Sequence, residues 1–176
     1  MMRKIIKKPD VECLSVSAFR ATVAVSLLLT AGLIAFPGQP VELIGPLTRE
    51  AILEALPDWA HEAAAHLPDP EIVARFHDFE RPIVIRVVIG TWCPDCRRHL
   101  TAFFRLIELA DNPVISVEYF GVSRDKLQPE DIVRDNRIER VPTFIVFENG
   151  REIGRIIEHP RISIEADLAD ILFGHS

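Results

Sequence analysis

The chain is poor in cysteine, and its few thiols exclude several common uses of that residue. It has three cysteines in 176 residues: Cys93 and Cys96 form a Cys-Pro-Asp-Cys pair, and Cys13 stands alone near the start. A structural zinc site ordinarily takes four ligands, and covalent haem attachment needs a histidine where this chain has Arg97. No resident metal or cofactor is therefore expected, although a metal held by the pair with help from His99 stays an open alternative.

The chain also lacks a basic stripe and several catalytic signatures. Its formal net charge is −6, and because residues 1–20 carry +3, the rest of the chain carries −9. An acidic body of this kind argues against nucleic-acid binding. The sequence has no internal repeat, low-complexity stretch, phosphate-binding loop or Ser-His-Asp constellation. A hydrophobic content of 48% fits one compact domain with an extension.

The uncharged apolar run that ends before Pro37 is too short for a comfortable membrane span. It covers residues 21–36, which is 16 residues against the roughly 20 that a spanning helix needs. Because the run follows a basic start, residues 1–38 are predicted to be a secretion signal or a membrane anchor, with a buried helix or a misplaced start codon as the alternative. An exported or membrane-anchored protein is favoured over a cytoplasmic one. Residues 39–46 are predicted to be a linker.

The Cys93 and Cys96 pair lies where a strand passes into a helix. The apolar run Ile83 to Ile89 precedes it and a helical pattern follows. The first turn of a helix stabilises a thiolate and lowers a thiol pKa of about 8.5 to roughly 3.5–7.5. Arg97 and Arg98 are expected to lower the pKa of Cys93 further, and Asp95 to raise it. The spacing favours a redox pair over a metal site or an inert buried pair.

The remaining pattern predicts an α/β protein with a helical preamble. Helical spacing recurs three times within residues 47–80, before the first clear strand. Strand and helix patterns then alternate, and an Asn149-Gly150 turn joins the last two strands. The helix after the motif should turn Leu100, Phe103, Phe104, Ile107 and Leu109 towards the sheet. The other predicted elements are a strand over residues 114–122, a helix over 129–135, strands over 143–148 and 151–158, and a helix over 163–173.

Two motifs in this order resemble the thioredoxin superfamily. They are Trp92-Cys93-Pro94-Asp95-Cys96 at the strand-to-helix junction and Val141-Pro142-Thr143 at a later strand entrance. The residues of these motifs look most like those of a group of bacterial thioredoxin-like proteins. The resemblance implies a thioredoxin-like fold over residues 81–176, with a central mixed sheet flanked by helices and an N-terminal helical extension.

The resemblance also implies a role for each motif residue. Cys93 would be the exposed nucleophile and Cys96 the resolving thiol, with Trp92 shielding the sulfur. Pro142 would be a cis proline, and the backbone of Val141 would dock an extended substrate. Pro94 and Asp95 are the variable dipeptide, and Thr143 completes the substrate-binding segment.

These roles imply a thiol-disulfide oxidoreductase that exchanges disulfides with protein partners and with an electron donor or acceptor. The protein is expected to be monomeric. A non-catalytic binding or chaperone module and a metallochaperone stay open as alternatives. One departure is Val87, which occupies the position of the buried acid of familiar thioredoxins. His61, His66 and His77 are expected to be surface residues, and His99 to be a solvated helix residue.

Overall fold

The computed structural model describes residues 41–174, which form a mixed five-stranded sheet with helices packed around it. The strand order is β1-β3-β2-β4-β5, and only the β2 and β3 pair is parallel. This confirms the α/β fold class and the central mixed sheet. The strands are β1 (Gly45–Leu47), β2 (Ile83–Ile89), β3 (Ile115–Gly121), β4 (Thr143–Glu148) and β5 (Arg151–Ile157).

Six helices lie within the same described range. Thr48, Asp69 and Ser163 each accept a backbone N–H at a helix N-terminus, which satisfies a donor that the helix itself leaves unpaired. The helices are α1 (Arg49–Ala55), α2 (Pro57–Ala65), α3 (Pro70–His77), α4 (Pro94–Ala110), α5 (Glu130–Asp135) and α6 (Ile164–Phe173). The three helices predicted before β2 are therefore present.

Strand β2 is the centre of the core because its side chains alternate between two environments. Ile85 and Val87 are fully buried, whereas Val84 and Arg86 on the opposite face are half-buried. The apolar side of α4 contributes Phe103 and Phe104 to the core, as predicted. The prediction was wrong for Leu109, which is 42% exposed, because the helix turns Leu106 inward instead.

The strand β1 was not predicted, and its first two residues fall at the end of the segment 39–46 that was expected to be a linker. It pairs with β3 so that Gly45 lies opposite Gly121. A Cβ atom on Gly121 would lie 2.0 Å from the carbonyl oxygen of Leu43. Glycine is therefore what lets the first described segment approach this edge of the sheet.

The helices of the preamble pack on the helices of the sheet domain. Helix α2 contacts α4, and α3 contacts both α4 and α6. His66, just after α2, is half-buried and lies 2.5 Å from a carboxylate oxygen of Glu165 in α6. This corrects the expectation that His66 is a surface residue. His61 and His77 are exposed, as expected.

The division into a signal or anchor over residues 1–38, a linker, a preamble and a domain over 81–176 stays a prediction. Residues 1–40 and 175–176 lie outside the described part of the chain. Within the described part, no helix is long and apolar enough to cross a membrane.

Candidate active site

The two cysteines of the motif lie at the start of α4, directly after the loop that follows β2. Cys93 is the N-cap of the helix, and its backbone N–H donates to the carbonyl oxygen of Gly90 at 2.9 Å. The N–H of Gly90 donates to the Sγ atom of Cys96 at 3.3 Å. Pro94 is exposed in the first turn, where a missing N–H leaves no helical hydrogen bond unmade. Both cysteines are free thiols.

The two thiols have opposite acid-base properties. A hydrogen bond from the Cys96 side chain is the largest influence on Cys93 and, against the opposing effect of burial, lowers its pKa to about 6. Backbone N–H groups of Cys96 and Asp95 lower it further. Burial is the largest influence on Cys96 and raises the pKa of that thiol strongly. At neutral pH Cys93 is therefore the thiolate and Cys96 the thiol that donates to it.

The source of this pKa shift corrects one expectation from the sequence. Arg97 was expected to stabilise the Cys93 thiolate, but its guanidinium makes two hydrogen bonds of 3.0 Å to the carboxylate of Glu62 in α2. Arg98 lies 3.7 Å from Asp95 instead. The lowered pKa of Cys93 therefore comes from hydrogen bonds at the helix start, while the charge of Asp95 raises it, as expected.

The Val141 to Pro142 peptide bond is cis, as the resemblance implied, and it lies beside the first thiol. The Cys93 Sγ atom is 3.6 Å from the carbonyl oxygen of Val141. Thr143, the third residue of the expected substrate-binding segment, is 1% exposed, and its hydroxyl donates to the carbonyl oxygen of Arg140. Among the described residues, Gln128 to Pro129 is a second cis bond that was not anticipated.

Trp92 lies in the loop between β2 and α4, and its ring packs against Gly90 of the same loop. Its Nε1 atom donates to the carbonyl oxygen of Val122 at 3.3 Å, and the guanidinium of Arg124 lies 5.0 Å from its ring centroid. The ring sits so close to Gly90 that a Cβ atom there would be 2.5 Å from it. Cys93 is less accessible than expected for an exposed nucleophile, because only 9% of its surface is exposed.

Strand β2 contains no acidic residue, and Val87 occupies the position at which familiar thioredoxins have a buried acid. Val87 is fully buried and pairs with Phe144 of β4. The nearest histidine along the chain, His99, was expected to be solvated but is half-buried, and its Nε2 atom has no hydrogen-bond partner among the described residues. Burial, followed by the charge of Arg98, lowers the pKa of His99, so the imidazole is neutral.

Sequence reasoning missed that His159 also belongs to this region. Its ring lies 6.5 Å from the ring of His99, centroid to centroid. Asp95 and His99 are four residues apart on one helix, a spacing that the sequence displays. His159 follows β5, and only the folded sheet brings it there, so no local pattern could have indicated it.

Comparison with known proteins defines the class to which this fold and dithiol belong. A family model described as thioredoxin matches residues 60–169. The chain belongs to the thioredoxin family.

Individual relatives are distant. A thioredoxin-like protein of Acanthamoeba polyphaga mimivirus is 26% identical over 53% of this chain and 65% of its own length. A thioredoxin of Oryza sativa subsp. japonica is 22% identical over 74% of this chain and 85% of its own. The chain thus spans slightly less than two thirds of the viral relative.

One solved structure shares the fold of this chain. A protein of unknown function from Pseudomonas aeruginosa has a TM-score of 0.54 and 20% sequence identity, with 73% of this chain and 90% of that chain covered. This similarity shows a shared fold.

Proposed function

We propose that this protein is a thiol-disulfide oxidoreductase that exchanges disulfides with protein partners through Cys93 and Cys96. The observation that carries the proposal is the position of the Cys93 sulfur. It lies against both the Cys96 thiol and the carbonyl oxygen of Val141, next to the cis bond at Pro142. A reactive thiolate, a second thiol and a backbone edge that can hold a peptide therefore meet at one place.

The first step is attack by the Cys93 thiolate on a partner disulfide. A bond forms between the Cys93 sulfur and one partner sulfur, and the other partner sulfur leaves as a thiolate. In the free protein the Val141 carbonyl oxygen lies 3.6 Å from the Cys93 sulfur, and it accepts a hydrogen bond from Cys93 only while that thiol is protonated. Once the mixed disulfide consumes that thiol, the carbonyl becomes available to an N–H of the bound partner.

The second step is attack by Cys96 on the Cys93 sulfur. Cys96 loses its proton, the intramolecular disulfide forms, and the partner leaves as a second thiolate. Two electrons pass to the partner disulfide, so a dithiol reductant must return the pair to its reduced form. In the reverse direction the same steps oxidise partner thiols, and an oxidant of the disulfide class regenerates the pair.

Cys96 is the slower-reacting thiol in this scheme because it is buried and its pKa is raised. Because position 87 is a valine, no carboxylate there can accept the proton of Cys96. Among the described residues, Asp95 and the neutral imidazole of His99 are the nearest acceptors along the chain. The expected consequence is a resolving step that is slower than the first attack.

The site's surroundings fit a macromolecular partner. Trp92, Pro94 and Val141 lie next to Cys93, which is only 9% exposed, and we expect a partner disulfide to enter in an extended segment. We infer that the protein acts as a monomer. We also keep the proposal, which rests on residues 1–38 of the sequence, that it is exported or anchored at a membrane.

Insulin reduction by dithiothreitol tests this function, with precipitation of the released chain as the readout. The wild-type chain should accelerate precipitation, and Cys93→Ser should return the rate to that of dithiothreitol alone. Cys13→Ser is the matched control, since it removes a thiol outside the motif, and it should behave as wild type. If wild type and Cys93→Ser give equal rates, the protein is a binding module of the thioredoxin fold and the proposal fails.

A further inference from the structure

Three side chains that can bind a metal lie close together near the Cys-Pro-Asp-Cys motif, and neither thiol belongs to this cluster. Asp95, His99 and His159 each place one potential ligand atom within 4.8 Å of the other two. Asp95 and His99 come from successive turns of α4 and therefore share a face. His159 comes from the loop after β5. Two elements far apart in sequence thus converge on one set of donors.

The backbone holds His159 in this place. The N–H of Glu158 donates to the carbonyl oxygen of Pro142 at 2.7 Å, and the N–H of His159 donates to the carbonyl oxygen of Ile157 at the same distance. Glu158 has a φ of 60°, in the left-handed region that a β-strand cannot continue through. The chain turns here and directs His159 towards α4 instead of extending β5.

A second observation is that His99 has a hydrogen-bonding atom left without a partner. The Nε2 atom of His99 is buried and has no hydrogen-bond partner among the described residues. Buried polar atoms in folded proteins are almost always paired, and an exception calls for a specific explanation. The ring of His159 lies 6.5 Å from that of His99, centroid to centroid, and makes no hydrogen bond to that nitrogen.

We propose that Asp95, His99 and His159 form a binding site for a divalent transition-metal ion of the Zn²⁺ class. Two imidazoles and one carboxylate are a donor set that suits such ions, and three protein ligands leave a fourth position open. Tetrahedral bonds of about 2.0 Å place ligand atoms about 3.3 Å apart, so the ligands must move closer together. The His159 side chain is 63% exposed and free to make most of that movement.

The charges around the site partly oppose and partly favour a cation. Arg98 lies 3.7 Å from Asp95 and competes for its carboxylate, but its side chain is 72% exposed and can move away. Glu158 lies 4.0 Å from the ring of His159, although it also pairs with Arg140. The site is therefore expected to bind Zn²⁺ reversibly rather than as a permanent structural ion.

This inference does not rest on disulfide exchange, and the test removes the thiols altogether. In the full chain, Cys13, Cys93 and Cys96 are replaced by serine so that no sulfur ligand remains. Zn²⁺ binding is then measured by isothermal titration calorimetry in chelator-free buffer. Co²⁺ provides a second measurement, because its visible absorption reports the coordination geometry. The expected result is one Zn²⁺ per chain and a tetrahedral Co²⁺ spectrum.

Substitution of the ligands identifies the site. In the same background, His159→Ala and His99→Ala should each weaken Zn²⁺ binding by roughly 10-fold to 100-fold or more, since even the outer partners of a metal site have effects of that size. His61→Ala is the matched control, because His61 is an exposed histidine of α2 that is not part of the cluster, and it should leave binding unchanged. Far-UV circular dichroism checks that each variant is folded.

Three results would overturn the proposal. One is a cysteine-free chain that binds no Zn²⁺ while the wild type does, which would make the thiols the ligands. Another is equal weakening by His61→Ala and His159→Ala, which would indicate non-specific binding to surface imidazoles. The third is a folded His159→Ala chain that keeps full affinity. His159 lies on an exposed loop, so its variant remains informative even if His99→Ala does not fold.

Discussion

The Sγ atom of Cys93 lies 3.6 Å from the carbonyl oxygen of Val141, the residue that precedes the cis proline. When Cys93 is protonated its thiol donates to that carbonyl, and when it is a thiolate it accepts from Cys96. One sulfur thus changes its hydrogen-bond partner with its protonation state. The reactive atom and the backbone that can hold a substrate are therefore coupled through a single contact.

The first prediction concerns the pH dependence of Cys93 alkylation. Because its pKa is lowered to about 6, the thiolate fraction and the rate of reaction with iodoacetamide should rise with pH through about 6 and level off above about 7. The raised pKa of Cys96 should leave that thiol unmodified over the same range. Peptide mass spectrometry of samples quenched at timed intervals, in the presence of a chelator, measures both.

Two variants test the cause of that midpoint. Cys96→Ala removes the hydrogen bond that lowers the pKa of Cys93 most, so the midpoint should move to higher pH. Asp95→Asn removes a charge that raises the pKa, so the midpoint should move to lower pH. A wild-type midpoint near 8.5, the value of a free thiol, would contradict this description of the site.

The second prediction concerns the mixed disulfide. Cys96→Ser should retain the nucleophile but lose the thiol that resolves the intermediate, so a covalent adduct should accumulate at Cys93 after incubation with a peptide disulfide. Non-reducing electrophoresis and mass spectrometry detect the adduct. Cys93→Ser should form none. An adduct at the buried Cys96 in that variant would assign the roles the other way round.

The third prediction concerns the close approach of β1 to β3. Gly121→Ala would place a Cβ atom 2.0 Å from the backbone oxygen of Leu43, which cannot rotate away as a side chain could. Overpacking of this kind typically costs about 1–3 kcal/mol of the free energy of unfolding. Urea denaturation should show that loss. Ser116→Ala, at an exposed position of the same strand, is the control, and equal midpoints for the two variants would refute the predicted clash.

The fourth prediction concerns the contact that joins the preamble to the last helix. Glu165 is 5% exposed and His66 is its partner. His66→Ala should cost about 1–3 kcal/mol, because it leaves a buried carboxylate without that hydrogen bond. In a double-mutant cycle with Glu165→Gln the two effects should not add. Additive effects, or an equal loss in His61→Ala, would show that the contact contributes nothing to stability.

Much of the fold followed from local patterns in the sequence. The apolar run of β2, the turn at Asn149 and Gly150, and the helix after the motif all depend on neighbouring residues, and all are present. Asn149 and Gly150 have φ values of 50° and 77°, as a tight hairpin turn with both central residues left-handed requires. The strand β1 was missed because three residues carry almost no periodic signal, and its position depends on Gly121 in a distant strand.

The chemistry of the site was less accessible from sequence. The WCPDC motif indicated the thiols, but the pKa difference between Cys93 and Cys96 depends on burial and on one hydrogen bond between them. The pairing of Arg97 with Glu62 depends on how α2 packs against α4, and with it Arg97 is not among the groups that lower the pKa of Cys93. His159 reaches the site only through the pairing of β5 with β4. These features arise from contacts between elements, which no local pattern contains.

The most direct test of the central claim is equilibration of the reduced protein with glutathione redox buffers, followed by acid quenching and mass spectrometry. If Cys93 and Cys96 exchange a disulfide reversibly, an intramolecular disulfide should appear in a single two-electron transition, within the range of about −270 to −120 mV known for related dithiols. Cys96→Ser should abolish that transition and show a glutathione adduct instead. A wild-type protein that forms only the glutathione adduct at Cys93, or no disulfide at any ratio, would contradict the account.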